Sequence, residues 1–132
     1  MKIVTFDIDD TLIFTYENAF QKTKKAWIIL WFPPLSMDQY LIYYWKLTYE
    51  ECIANYFPWV DIQEFNALYT RLRDVFPYKP IPWGLSIIDV ARKIRWAVWI
   101  ITNGSEDKTY RKLHSIWIGS ELLKMFTFIL HW

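Results

Sequence analysis

Hydrophobic and polar positions alternate with two different periods along this chain, and the period changes where the architecture changes. Ile3-Val4-Thr5-Phe6, Ala97 to Thr102 and Phe126 to Leu130 are short, mostly apolar runs closed by polar residues. Runs of that length predict strands, and the first, rich in β-branched and aromatic residues, predicts a parallel strand covered on both faces. Between the first two runs the spacing is helical. Phe20, Lys24, Trp27 and Trp31 mark a helix over 17–31 that Pro33-Pro34 stops. Ser36 to Gln39, Thr48 to Glu51 and Asp61 to Glu64 each set a capping side chain three residues before Gln or Glu, predicting helices over 36–46, 48–57 and 61–76. Leu85, Ile88, Val90 and Ala91 predict another over 85–95, Ser105 caps one running to about Ser115, and a short helix is expected from Ser120.

This order predicts an α/β fold: a Rossmann-like parallel sheet core, incomplete at three strands, with an inserted four-helix cap. The core is expected over 1–14 and 79–132 and the cap over 15–78. Similar helix lengths and short loops suggest an up-and-down bundle.

The polar residues that close the strands carry the chemistry. Asp7 and Asp9 follow the first strand at the carboxyl end, where open α/β sheets bind ligands. Carboxylates two residues apart repel and lose hydration together, so they call for a cation or a shared proton. Mg²⁺ suits them, because it takes oxygen ligands and bridges to phosphate. Thr102, Asn103 and Gly104 end the second strand just before a helix, combining a hydroxyl, a residue permitting close backbone approach and a helix N-terminus into an anion site. Alone, the first element reads at least as well as an acidic turn, and the second reads better as a capped strand-to-helix turn. Adjacent parallel strands are expected to bring Thr102 beside Asp7, and the pair of elements is far more specific than either.

Composition narrows the partners. The net charge of +1 offers no basic excess for nucleic acid. Cys52, the single cysteine, suits a buried apolar position and a reducing compartment. The acidic motif leaves no room before it for a signal peptide, and the longest apolar run, 26–32, is short of a membrane span. A soluble, cytoplasmic protein with no nucleic-acid or membrane partner is expected.

Phe6-Asp7-Ile8-Asp9-Asp10-Thr11-Leu12 and Ile100-Ile101-Thr102-Asn103-Gly104, separated by a helical insertion, resemble motifs one and two of the haloacid dehalogenase-like hydrolases. The resemblance implies that Asp7 is the nucleophile forming an aspartyl-phosphate and that Asp9 is the acid for the leaving group and then the base for water. It implies that Thr102 holds the phosphoryl group with amides near Asn103 and Gly104. Mg²⁺ is then held by Asp7 and the main-chain carbonyl of Asp9, and the substrate is a small phosphorylated metabolite chosen by the cap. An aspartate at position 9 points to a phosphatase and away from a dehalogenase. The other alternative is a non-catalytic protein that binds phosphate or a partner, with Tyr40, Tyr43, Tyr44, Tyr49 and Tyr56 as its binding surface.

Two departures stand out. The family's third-motif lysine and fourth-motif acidic pair are missing before Trp132, so the chain looks truncated and little hydrolysis is expected of it as it stands. Lys112 and Lys124 are expected to be exposed helix lysines, and His114 and His131 structural. The second departure is nine tryptophans against three glycines, where glycine ordinarily supplies ~7% of residues. Trp31, Trp59, Trp83, Trp96 and Trp117 fall at helix ends and turns that favour glycine. That pattern fits a gene whose UGA codons mean glycine.

Overall fold

The computed structural model describes residues 2–116 and 128–131. The chain divides into two compact units, Met1–Thr15 with Pro77–Trp132, and Tyr16–Phe76.

In the first unit, strands β1 (Ile3–Phe6), β2 (Ala97–Thr102) and β3 (Phe128–His131) form a parallel sheet in that order. Phe6 pairs with Ile100, and Thr102 with His131. Helix α5 (Pro82–Lys93) precedes β2, and α6 (Glu106–Ile116) follows it. Both crossovers step the same way across the sheet, so right-handed connections lay both helices on one face. Phe6, Val98 and Ile100 accordingly share a buried cluster with Ile88 and Ala91 of α5 and Leu113 of α6. β1 is therefore not covered on both faces as its apolar run predicts: Ile3 and Thr5 are exposed, and only one side of the strand turns to the core. The short helix expected from Ser120, with Lys124, lies outside the described residues.

In the second unit, helices α1 (Thr15–Ile29), α2 (Met37–Tyr44), α3 (Tyr49–Tyr56) and α4 (Ile62–Arg71) follow the expected sequence, α1 beginning at the boundary. Ser36 with Gln39 and Thr48 with Glu51 form reciprocal capping boxes, and the Asp61 carboxylate accepts from the N–H groups of Gln63 and Glu64. Trp27 is fully buried, with Tyr40, Tyr56 and Phe57 edge-on around it. The five tyrosines proposed as a binding surface are instead largely used in packing. Tyr40 is buried, Tyr40 and Tyr56 stack, the Tyr56 hydroxyl donates to the Tyr40 carbonyl, and Tyr49 packs on Phe65 and Tyr69. Burial pushes the Tyr56 phenol up to about 12.

The tryptophan sites divide. Trp31 has φ 63°, and the N–H of Phe32 reaches the carbonyl of Trp27 at 2.9 Å, the bond pattern of a helix closed by a left-handed residue. At the end of α5 the left-handed residue is Arg95 (φ 58°), not Trp96. The helix stops at Lys93, two residues before the expected end, which moves Trp96 one place beyond the strained position. Trp59 and Trp83 have ordinary backbone, Trp83 lying in the first turn of α5. Trp117 lies outside the described residues.

Candidate active site

The chain after β1 is folded around one acceptor. The Ile8 carbonyl takes the N–H groups of Thr11, Leu12 and Ile13, at 3.4, 3.0 and 3.1 Å. Asp10, at φ 55°, makes the reversal, a conformation that Asp tolerates better than most residues. Ile13 then bridges both Asp9 and Pro80, and the N–H of Ile81 reaches the carbonyl of Leu12 at 2.8 Å. The motif loop is thereby tied to the start of α5. Gly84 in that helix lies directly under it.

Side-chain alternation decides which candidates meet. Asp7 continues the parity of Thr5, and Asn103 that of Ile101. Thr5, Phe6, Asp7, Ile101 and Asn103 line one cleft of about 350 Å³. Thr102 shares the parity of Ile100 and points the other way. It is 2% exposed, is not part of the cleft lining, and its hydroxyl accepts the Gly104 N–H at 3.1 Å. The structure thus joins Asp7 with Asn103, and uses Thr102 to fasten the loop that carries Asn103. Thr109 lies beneath the same loop, its hydroxyl 3.4 Å from where a Gly104 Cβ would stand. His114 is exposed on α6, and His131 pairs with Thr102 through the backbone.

Asp7 Oδ1 accepts the N–H of Ile8 at 2.8 Å. Partial burial raises its carboxyl above the usual carboxylate range, and the Asp9 charge adds to that; the Ile8 N–H and the Lys112 ammonium pull the other way. Asp9 Oδ1 receives the Thr15 hydroxyl at 2.5 Å and the Lys112 ammonium. Lys112 is consequently not the exposed helix lysine expected. Its side chain is 13% exposed, over the Tyr78 ring at 5.8 Å. A signal for it existed in the sequence: Thr109, Lys112, Leu113 and Ile116 fall at i, i+3, i+4 and i+7, the spacing of a buried stripe. Thr15 had no comparable signal.

The donor set fits a hard cation only in part. An outward carboxylate at Asp7 and a main-chain carbonyl at Asp9 are oxygen ligands of the kind Mg²⁺ takes in ones and twos while keeping waters and phosphate oxygens. Among the described residues no group of three or more His, Cys, Asp or Glu side chains converges to complete a cage.

No family model and no curated protein matches this chain. Solved structures do. A putative β-phosphoglucomutase from Thermotoga maritima is similar with TM-score 0.72 at 15% identity, over 99% of this chain and 61% of that one. The putative HAD-hydrolase YfnB from Bacillus subtilis, bound to magnesium, gives 0.65 at 20%, over 97% and 63%. CbbY from Rhodobacter sphaeroides, in complex with phosphate, gives 0.60 at 16%, over 98% and 62%. The chain has the fold of the HAD-superfamily hydrolases, as its two motifs imply, and spans somewhat over three fifths of the length of these neighbours.

Proposed function

We propose that this chain carries the nucleophile and phosphate-loop portion of a Mg²⁺-dependent phosphohydrolase acting on small phosphorylated metabolites. The observation that carries this reading is the cleft at the carboxyl ends of two adjacent parallel strands, lined by both Asp7 and Asn103. The fold neighbours support it, since CbbY is described in complex with phosphate and with xylulose-(1,5)bisphosphate.

In this mechanism an Asp7 carboxylate oxygen attacks phosphorus as the ester oxygen departs. Asp9 gives that oxygen its proton, leaving an aspartyl-phosphate on Asp7. Asp9, now ionised, takes a proton from water as the water oxygen attacks the phosphoryl group, which releases phosphate and restores Asp7. Splitting one displacement into two lets a single carboxyl serve as acid and then as base. The Asn103–Gly104 backbone at the start of α6 faces the phosphoryl oxygens, and Thr102 holds that backbone in place. Asp7 and the main-chain carbonyl of Asp9 would hold Mg²⁺, which would neutralise phosphate charge.

The test is phosphoryl capture. Incubation with Mg²⁺ and a small acyl phosphate should add one phosphoryl group to the intact mass of the chain, and Asp7→Asn should abolish the gain. Capture that survives this substitution would falsify the aspartyl-phosphate mechanism.

A further inference from the structure

The environment of Asp9 is asymmetric. Both of its side-chain partners, the Thr15 hydroxyl and the Lys112 ammonium, act on Oδ1. Among the described residues Oδ2 accepts no hydrogen bond. Lys112 reaches Asp9 from the buried stripe of α6, part-buried and over the Tyr78 ring, so its ammonium is held in one place by packing as well as by charge.

We propose that Lys112 is a positioning residue of the active site: with Thr15 it grips Asp9 through Oδ1, so that Oδ2 is the oxygen that moves protons, and its ammonium is a built-in countercation to the Asp7–Asp9 carboxylates. This rests on the phosphohydrolase reading for its catalytic half but not for its electrostatic half. A charge-assisted bond is stronger and more directional than a neutral one, which suits it to fixing the rotamer of a proton-transfer group. A fixed cation beside two carboxylates also weakens their attraction for a second cation.

Two measurements separate the halves. The first titrates the metal-free chain of residues 1–132 with Mg²⁺ alone by calorimetry. Removing the resident charge with Lys112→Met should tighten Mg²⁺ binding about fivefold or more, whereas Lys112→Arg, which keeps the charge, should stay near wild type. The second follows the phosphoryl adduct formed from acetyl phosphate. Acetate leaves without needing a proton, so adduct formation does not draw on Asp9 and serves as the reference for each variant. Breakdown needs Asp9 as base and should slow about tenfold, with Lys112→Arg recovering most of the loss. Thr15→Val, which loosens the grip but keeps the charge, should slow breakdown with Mg²⁺ affinity unchanged; it serves if Lys112→Met does not fold. A folded Lys112→Met chain that binds Mg²⁺ as wild type does would overturn the countercation, and unchanged breakdown would overturn the grip on Asp9. A wild-type chain that takes up no phosphoryl group would sink the phosphohydrolase reading instead, and the Mg²⁺ titration would still decide the charge.

Discussion

Gly84 sits so close beneath the Thr11 carbonyl that a Cβ on it would stand 2.9 Å from that oxygen and 3.1 Å from Leu12 Cδ2. The obstacle on one side is backbone, which cannot swing away, and it is the backbone of the loop that carries Asp9 and follows Asp7. Gly84→Ala is expected to destabilise the first unit by about 1–3 kcal/mol, read as a lower denaturant midpoint. It is also expected to weaken Mg²⁺ binding, because α5 must move away or push the motif loop. A variant with wild-type stability would mean that the loop yields freely.

Asp7 bears a cost that the fold tolerates. Its carboxyl is raised mainly by partial burial and next by the Asp9 charge, so its contribution to stability is fully present below its unfolded-state pKa and is lost as pH rises through the higher folded value. At neutral pH the ionised group therefore opposes folding. In metal-free buffer Asp7→Asn should melt above wild type at pH 7, and the difference should shrink toward zero as pH falls below the carboxylate range. Phosphoryl capture is lost in the same variant. A melting temperature below wild type at pH 7 would show that the carboxylate's bond to Ile8 outweighs burial.

What could be read from the chain depended on how local the cause was. The helix starts at Ser36, Thr48 and Asp61 follow from side chains bonding backbone within three residues, and each cap forms as expected. The facing of Thr102 depends on register: Phe6 opposite Ile100 sends Asp7 and Thr102 to opposite sides, and the motif alone does not contain that pairing. The end of α5 depends on packing, and a shift of two residues transferred the left-handed position from Trp96 to Arg95. Lys112 was legible in its spacing with Thr109, Leu113 and Ile116, but a lysine before a strand reads as solvated until its stripe is seen to be buried.

Cys52 is buried in α3, with its thiol directed to the Leu47 carbonyl at 3.8 Å, and burial pushes the thiol up. The thiolate is the reactive form, and the fold disfavours it. Alkylation at pH 7 is expected to run at least about tenfold slower in the native chain than in urea, where the thiol regains its ordinary acidity near 8.5. Equal rates would mean that α3 opens freely from the second unit.

Trp31 combines φ 63° with 94% exposure, so its indole contributes almost nothing by burial while its backbone bears left-handed strain. Such geometry costs a non-glycine residue about 1–2 kcal/mol. Trp31→Gly should therefore stabilise the helical unit by roughly 1 kcal/mol, since glycine gives back part of the gain through the freedom of its unfolded chain. Trp27→Gly, four residues earlier at the centre of the aromatic cluster, should instead cost at least about 3–5 kcal/mol. The contrast bears on decoding. If every tryptophan here is glycine in the natural protein, position 27 is glycine too, and the aromatic rings now around it must close on a smaller side chain. Peptide mass spectrometry of the protein from its source decides this directly: glycine at both 27 and 31 establishes the recoded reading, and tryptophan at both ends it.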